Sequence, residues 1–309
     1  SESCMRIVRG LESYPPDALS SAVALGAFDG VHLGHRAILG TAVAQARRDG
    51  LVALACTFDP HPLEVLQPER SPVPITTLEE RLELIAGTGI DTTVVVVFTR
   101  AVAAVEAEDF VRRVLVGTLK ARDIVVGFNH RFGRGARGDA TLLERLGREL
   151  GFRAHTVPPT TVDGVPVSSS EIRSALQRGD LTKAARLLGR AYAIQGEVVR
   201  GAGRGRTLGF PTANVKTARP LLLPPGVYAC QVDVEDTRYQ AVINVGVRPT
   251  FGETELAVEA HLLDFSGDLY GRRIRLTFLR RLRDERKFPN VEALRNQIAL
   301  DVLAARENP

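Results

Sequence analysis

The pattern of this chain changes near Gly189, and that change constrains its fold more than any other feature. Before it, short apolar runs alternate with segments of helical periodicity, which predicts a parallel sheet covered by helices on both faces. After it, β-type runs follow one another between glycine and proline clusters, which predicts a small β-barrel or sandwich. With 309 residues, the chain exceeds the usual span of one hydrophobic core. We therefore predict two domains, 1–186 and 187–309, the first of the α/β class.

The first domain is predicted to alternate strands with helices. Its predicted strands are Val23–Phe28, Leu51–Phe58, Thr93–Phe98, Ile124–Gly127 and Phe152–Val157, and its predicted helices are Arg36–Arg48, Leu78–Ala86 and Ala140–Leu150. Thr77 and Glu80 have the spacing of a capping box, Asp139 is a typical N-cap, and Gly151 is a typical helix stop. Since ligands of parallel sheets bind beyond the carboxyl ends of the strands, we expect a site at that edge.

The second domain is predicted to be rich in β-strands and to end in a helix. Its predicted strands are Tyr192–Arg200, Val227–Val234, Tyr239–Val245, Glu255–Leu263 and Arg273–Leu282. The closing segment Val291–Ala305 is amphipathic, so we expect a helix that packs on the barrel.

Composition favours a cytoplasmic protein that binds nucleotides. The net charge of +4 comes mainly from arginine, whose planar fork suits phosphate groups. The arginines are scattered and tryptophan is absent, which argues against nucleic acid as a partner. The three cysteines form no CxxC pair, so neither disulfides nor a zinc site is expected. No apolar run reaches the length of a membrane span or a signal peptide, and no oligomeric state is indicated.

A glycine turn between a predicted strand and a predicted helix holds the first candidate site. Its residues are Gly26, Phe28, Gly34 and the two histidines His32 and His35. Such a turn points backbone amides at an anion, and a glycine between two histidines lets both approach one phosphate. The same spacing also fits histidines that only cap a helix.

Four segments of the first domain resemble a known enzyme family. Gly26–His35 resembles the HxGH signature of the nucleotidyltransferase superfamily, in the form found in the FMN adenylyltransferase module of prokaryotic bifunctional riboflavin kinase/FAD synthetases. Thr57–Pro62, Val126–Gly133 and Val167–Arg173 match further motifs of that module in the same order. The resemblance implies a Rossmann-like fold and an ATP site.

By this resemblance, His32 and His35 bind the ATP phosphates, and Asn129 contacts the nucleotide or the substrate phosphate. Ser169, Ser170 and Arg173 would hold the triphosphate, although serines at a helix start are also ordinary N-caps.

The substrate cleft of this module would bind flavin. Phe58, Asp59 and His61 are the candidates, and a strand-end turn shaped by neighbouring prolines explains the last two equally well. The family usually has threonine where Ser170 stands and often arginine where Glu171 stands. A glutamate near a triphosphate is tolerable only if it faces away.

The second domain holds the other candidate site. The glycine-rich stretch Gly201–Gly209 precedes a Pro-Thr-Ala-Asn sequence, predicted to be a fixed turn, whose Thr212 and Asn214 offer the hard oxygen ligands that Mg²⁺ prefers. Such a stretch also fits a mobile surface loop. Glu259 lies on a predicted strand, on the face opposite Val258 and Ala260, where a solvated glutamate is also common.

This half resembles riboflavin kinase, whose PTAN signature appears at Pro211–Asn214. The resemblance implies that Glu259 is the catalytic carboxylate and that Thr212 and Asn214 hold Mg²⁺. The loop residues Gly205, Arg206 and Gly209, with Arg204 as an alternative, would cover the phosphates of ATP. His261 is interpreted as a structural strand residue.

Two further segments match the same family near the expected flavin. They contain Arg248, Thr250 and Phe288, of which Phe288 or Arg248 would offer a flat apolar or cationic surface to the ring. A hinge-like turn before the terminal helix is the alternative.

The leading hypothesis is a bifunctional enzyme with riboflavin, FMN, FAD, ATP and ADP as ligands, in which ATP is a substrate and Mg²⁺ the cofactor. The alternative is a nucleotidyltransferase for another phosphorylated metabolite with a non-catalytic flavin-binding barrel.

Overall fold

The chain forms two compact units, Ser1–Ser169 and Ser170–Pro309. The structure is a computed structural model that describes residues 5–200, 209–249 and 254–307. The division between the two units falls after Ser169, earlier in the chain than the domain boundary predicted near residue 186. That boundary remains our proposal for the limits of the two functional domains.

The first unit contains a six-stranded parallel sheet in the order β1-β4-β3-β2-β5-β6. Its strands are β1 Arg6–Arg9, β2 Ser21–Leu25, β3 Val52–Asp59, β4 Thr92–Val97, β5 Ala121–Gly127 and β6 Arg153–Val157. Two short strands, β7 Thr161–Val162 and β8 Val165–Pro166, form a separate antiparallel pair. The predicted parallel sheet is confirmed, and the edge strand β1 is an addition that the sequence analysis did not predict.

Helices connect the strands of this sheet. They are α1 Leu33–Asp49, α2 Pro62–Leu66, α3 Leu78–Ala86, α4 Arg100–Ala103, α5 Ala107–Asp109 and α6 Ala140–Leu150, with a π-helix at Phe110–Thr118 and short 3-10 turns at Leu11–Ser13, Pro68–Arg70 and Arg134–Ala136. The bounds of α3 and α6 are those predicted. Thr77 and Glu80 form the expected capping box, and the Asp139 side chain accepts from the Leu142 N–H.

The central strands are apolar on both faces, as strands of a covered parallel sheet must be. Val23, Leu54 and Ile124 lie in the core on one face, whereas Ala22 and Ala53 lie in the core on the other. Burial of each large aliphatic side chain contributes about 1.5–3 kcal/mol, so the two cores hold the strand ends in fixed positions.

The second unit is a closed six-stranded antiparallel barrel in the order β10-β13-β12-β11-β14-β9. Its strands are β9 Tyr192–Val199, β10 Ala213–Thr217, β11 Gly226–Val234, β12 Thr237–Pro249, β13 Thr254–Leu262 and β14 Arg273–Arg283, and its helices are α7 Ser169–Gln177, α8 Leu181–Leu188 and α9 Val291–Arg306. The prediction of a small barrel with a terminal helix is confirmed. Ala305 and Val302 of α9 pack on Val227 and Val242 of the barrel.

One local prediction in the barrel was wrong. The Pro-Thr-Ala-Asn sequence was expected to be a fixed turn, but Ala213 and Asn214 begin β10 and pair with Ala260 and Glu259 of β13. The strand escaped prediction because polar residues interrupt its apolar pattern.

Candidate active sites

His32 and His35 form a stacked pair at the start of α1. The ring centroids are 3.5 Å apart and the planes differ by 16°. His32 is the N-cap, and its Nδ1 accepts a hydrogen bond from the His35 backbone N–H at 3.2 Å. The capping role is therefore real for Nδ1 of His32. Because the cap occupies Nδ1, Nε2 is the atom through which this ring would contact a phosphate.

The glycines of the turn make room for aromatic rings. Phe28 has a left-handed backbone with φ of 54° and stands edge-on to the His35 ring, 5.5 Å between centroids. A Cβ on Gly26 would lie 2.9 Å from the Phe28 ring, and one on Gly34 would lie 3.0 Å from Cε1 of His32. The Phe28 side chain is buried, so its structural role is to pack the turn. Its predicted part in nucleotide binding stays a prediction.

Asp29 fixes the turn to the loop before α3, a role that the sequence analysis missed. The buried carboxylate accepts hydrogen bonds from the Ile75 and Thr76 backbone N–H groups at 3.0 Å and from the Thr76 hydroxyl at 3.1 Å. The residues around Asp29 in the sequence do not indicate hydrogen-bond partners that lie so far along the chain.

Ser169 is brought to the same turn. Its Oγ donates to the backbone carbonyl of Asp29 at 3.1 Å. Ser170 and Arg173 belong to the second unit, so their predicted approach to this turn stays a prediction.

Glu171, which stands where the family often has arginine, pairs with Lys183. The Lys183 Nζ lies 2.6 Å from Oε1 of Glu171 and holds the pKa of that carboxyl below its ordinary value. The ion pair offsets the negative charge that the sequence analysis identified as a difficulty.

Asn129 lies at the predicted edge of the sheet. It follows the end of β5, is exposed, and sits in a turn closed by the His130 N–H bonding to the Gly127 carbonyl at 3.1 Å. Because β3, β2 and β5 are neighbours in the sheet, their carboxyl ends bring Asp59, the α1 turn and Asn129 to one edge. This edge is where ligands of such sheets bind.

The three flavin candidates of the first unit occupy different environments. Phe58 lies in the core against Phe98 and Phe110. Asp59 is half exposed, and its Oδ1 is 3.4 Å from a nitrogen of Arg81. His61 caps α2, with Nδ1 accepting from the Leu63 N–H at 3.2 Å. Asp59 and His61 thus shape the strand-end turn, and flavin binding by all three remains a prediction.

His130 is a half-buried histidine that the sequence analysis did not single out. Its ring stacks on Phe132 at 5.9 Å, and Nε2 is shielded from solvent with no hydrogen-bond partner among the described residues. Burial lowers the pKa of His130 from its usual 6.5 to about 4, so the ring is neutral at pH 7.

In the barrel, Glu259 faces Asn214 directly. The pairing of β10 with β13 places the two residues opposite each other, and β12 places Asn244 on the other side of Glu259. Residues directly opposite in antiparallel strands have Cβ atoms about 4.5–5.5 Å apart. Val258 is buried and Glu259 half-buried, which confirms the predicted alternation.

A cleft of about 740 Å³ is lined by Asn214 of this pair and by Ala260, the residue after Glu259, whereas Glu259 itself is not among its lining residues. Thr212 and Asn214 line one part of it, and Asp268 and Tyr270 line another. At its rim, the Arg200 guanidinium lies 4.8 Å from the Tyr270 ring centroid. Hard oxygens, a cation and an aromatic face therefore converge on one cavity.

His261 fixes the segment that leads into β10. Its Nδ1 is hydrogen-bonded to the Pro211 carbonyl at 2.8 Å, and Phe210 stands edge-on to its ring. The predicted structural role agrees with these contacts.

Several of the predicted site residues fall wholly or partly outside the described part of the chain. Gly205, Arg206 and Thr250 lie outside the described residues, as does the side chain of Arg248. Gly209 has a φ of 81°, a conformation that favours glycine.

Phe288, the other predicted flavin contact, is covered by cations. The guanidinium groups of Arg283 and Arg286 lie 5.5 and 5.1 Å from its ring centroid, and Arg283 also pairs with the buried Asp301 of α9. Its flavin contact stays a prediction.

Neither unit shows an all-protein metal cage in its described part. Over residues 5–200, 209–249 and 254–307, no cluster of three or more histidine, cysteine, aspartate or glutamate side chains could hold a metal ion. In the same ranges, no helix is long and apolar enough to span a bilayer.

Comparisons with known proteins cover both units. The FAD synthetase family model matches residues 15–171, and the riboflavin kinase family model matches residues 188–308. A crystal structure described as a macrolide-efflux protein from Streptococcus pneumoniae superposes with a TM-score of 0.89 and 30% identity, covering 98% of this chain and 99% of that one.

Relatives match along nearly the whole chain. The bifunctional riboflavin kinase/FMN adenylyltransferase of Escherichia coli strain K12 is 38% identical over 305 residues, 98% of this chain and 97% of the relative. The protein of the same name from Bacillus subtilis strain 168 is 39% identical over 287 residues, 91% of this chain and 90% of the relative. With both family models matched in order, this chain belongs to the bifunctional riboflavin kinase/FMN adenylyltransferase family.

Proposed function

We propose that this chain phosphorylates riboflavin to FMN in its second unit and adenylylates FMN to FAD in its first, with ATP as the donor in both reactions. One observation carries the proposal. Each unit brings together residues suited to phosphate transfer, the stacked His32 and His35 in the first and Asn214 opposite Glu259 in the second, which supports a separate reaction in each. The names of the relatives support the same pair of activities.

The kinase reaction requires a base. The terminal ribityl hydroxyl of riboflavin attacks the γ-phosphorus of ATP, the bond to the bridging oxygen breaks, and ADP leaves. Glu259 accepts the hydroxyl proton as the new O–P bond forms. Its neighbour Asn214 is an uncharged amide, so no like charge opposes the carboxylate from that side.

A hard divalent cation such as Mg²⁺ fits the donors at this site. Thr212 and Asn214 line the same cleft and offer a hydroxyl and an amide oxygen. A Mg²⁺ ion typically takes few protein ligands and completes its shell with water and nucleotide phosphates, which agrees with the lack of a carboxylate cage in the described residues. When bound, the ion neutralises phosphate charge.

The cleft next to Thr212 is our candidate for the kinase nucleotide site. Its volume of about 740 Å³ is in the range of small-molecule pockets. The Tyr270 ring and the Arg200 guanidinium at its rim provide flat surfaces for a nucleobase. The predicted phosphate contacts Gly205 and Arg206 belong to this proposal.

The adenylyl transfer requires no base. A phosphate oxygen of FMN is already anionic, attacks the α-phosphorus of ATP, and pyrophosphate leaves with the electrons of the broken P–O bond. Positioning and neutralisation of charge therefore dominate. The amino end of α1, with His32 and His35 above it, supplies hydrogen-bond donors and a positive dipole end for the phosphates. Asn129, Ser169, Ser170 and Arg173 complete the proposed phosphate site.

The decisive experiment separates the two activities in the full-length protein. Riboflavin, ATP and Mg²⁺ are incubated with it, and FMN and FAD are followed by chromatography. We expect Glu259→Ala to abolish FMN formation while supplied FMN is still adenylylated, and His32→Ala to do the reverse. Equal loss of both activities in a folded variant would contradict the division of labour. A wild-type protein that makes neither product would contradict the proposed function itself.

A further inference from the structure

Arg81 is a buried cation that joins two strand ends at the ligand edge of the first unit. It lies in α3 and is 6% exposed. Its Nη1 donates to the carbonyls of Ala27 and Phe58 at 2.7 and 3.0 Å and to the Thr57 hydroxyl at 3.2 Å. Ala27 follows β2, and Thr57 and Phe58 belong to β3. One side chain therefore ties the α1 turn to the neighbouring strand.

The Ala27 carbonyl precedes the strained part of the turn. It accepts from Arg81 and also from the Thr57 hydroxyl at 3.0 Å. The next residue, Phe28, has a φ of 54°. A left-handed conformation is unfavourable for a residue with a side chain, and it persists only where the surroundings enforce it. The two donors on Ala27 are part of that enforcement.

The position of the Ala27 carbonyl affects the histidines through the Phe28 ring. It stands edge-on to His35 at 5.5 Å, and His35 stacks on His32 at 3.5 Å. A rotation of the Ala27–Phe28 peptide would therefore move the Phe28 ring and disturb the stacked pair.

We infer that Arg81 is a positioning residue for adenylyl transfer, which holds the Ala27 carbonyl and thereby sets the orientation of His32 and His35 toward the reacting phosphate. This inference rests on the proposed FMN adenylyltransferase activity and names a determinant of that site. Arg81 acts through the turn, because its Nη1 is used by Ala27, Thr57 and Phe58 and its Nη2 lies 3.4 Å from the carboxylate of Asp59. Its Nε is buried and has no hydrogen-bond partner among the described residues.

Lysine is the informative replacement. Nη1 of Arg81 contacts the Ala27, Thr57 and Phe58 acceptors, and Nη2 contacts Asp59. A lysine ammonium on its flexible stem ends one bond short of these nitrogens and has no second nitrogen for Asp59, so it cannot hold the same acceptors together. Arg81→Lys therefore keeps the buried charge and removes the geometry. We expect kcat for FAD formation from supplied FMN to fall about 10- to 100-fold, since small misplacements at a phosphoryl site have effects of this size. We expect the KM for ATP to stay within about threefold, because the groups that bind phosphate remain.

Two controls accompany this variant. Riboflavin phosphorylation by the same sample reports on the integrity of the second unit and should equal that of the wild type. Arg47→Lys is the matched substitution, because Arg47 pairs with Asp91 on the surface of the same unit at 2.8 Å and is far more exposed. It should leave kcat for FAD formation unchanged.

Chemical rescue distinguishes positioning from general packing. In Arg81→Ala, guanidinium ion at a non-denaturing concentration should restore at least part of the lost kcat, while sodium ion at the same ionic strength should not. Wild-type kcat in Arg81→Lys would overturn the inference, and so would a folded Arg81→Ala protein that guanidinium does not rescue. If Arg81→Ala fails to fold, the split between kcat and KM in Arg81→Lys decides. FAD formation by the wild type, measured in parallel, tests the proposed function separately.

Discussion

Gly34 illustrates how one absent side chain shapes the first site. A Cβ there would lie 3.0 Å from Cε1 and 3.1 Å from Nδ1 of His32, which is closer than ordinary contacts, so the ring would have to shift by a few tenths of an ångström. We predict that Gly34→Ala lowers kcat for FAD formation about tenfold or more through misplacement of His32. Steady-state kinetics with supplied FMN measures this, and riboflavin phosphorylation should not change.

Gly40 provides the control on the same helix. A Cβ at Gly40 would meet nothing within 4 Å. Replacement of a helical glycine by alanine contributes about 0.5–1 kcal/mol to stability, so Gly40→Ala should raise the unfolding temperature slightly and leave FAD formation unchanged. Equal effects of the two substitutions on kcat would contradict the role of Gly34.

The residues of the sites were predictable to the extent that their signals are local. His32 and His35, three apart with a glycine between them, are brought together as expected. Asp29 and Arg81 were not predictable as anchors, because their partners in the loop before α3 and at the end of β3 are far away in sequence. Hydrogen bonds between residues so far apart in sequence can be identified only once the three-dimensional structure is known.

At the scale of elements, the turn after β5 makes the first unit sensitive to acid. His130 is neutral in the folded protein, with a pKa near 4, and has its usual pKa of 6.5 when the chain unfolds. Between these values the unfolded state binds the extra proton. Above pH 6.5 the imidazole therefore leaves the free energy of unfolding unchanged. As the pH falls from 6.5 toward 4, proton binding by the unfolded state lowers the free energy of unfolding by up to about 3 kcal/mol.

His130→Phe should remove this sensitivity, since phenylalanine stacks on Phe132 without a titratable group. Urea unfolding followed by circular dichroism at about pH 7.5 and about pH 5 measures the difference. We expect the wild type to lose more stability than His130→Phe over this interval. Parallel losses in the two proteins would show that the His130 imidazole is not responsible.

The long regular elements were predicted from periodicity, and the exceptions have physical causes. The bounds of α3 follow from its capping box. The strand β1 is four residues long and carries arginine at both ends, so its apolar signal is weak. The π-helix Phe110–Thr118 buries Phe110, Val111 and Leu115, and the sequence analysis did not predict this helix.

At the scale of the whole molecule, the two constellations lie in separate compact units. His32 and His35 belong to one unit, and Asn214 and Glu259 to the other. Each reaction should therefore survive the loss of the other. The reason is that FMN is a stable product of riboflavin phosphorylation and a substrate of adenylyl transfer.

Mixing two variants, each of which lacks one of the two activities, tests this independence. Glu259→Ala and His32→Ala proteins, combined with riboflavin, ATP and Mg²⁺, should form FAD, since FMN made by one variant diffuses to the other. Chromatography of each variant alone gives the baseline, and neither should make FAD from riboflavin. A mixture that accumulates FMN without FAD would contradict free exchange of the intermediate.

The different sheets of the two units also predict where misassembly begins. In the barrel, every described strand has hydrogen-bonded neighbours on both sides. The open sheet instead ends at β1 and β6, whose outer backbone groups can template a strand from another molecule. Arg6 and Arg9 are exposed on β1, place charge along that border and so discourage such addition. Neutralising these arginines should lower the temperature at which the protein forms fibrous aggregates, and those aggregates should grow from the amino-terminal half.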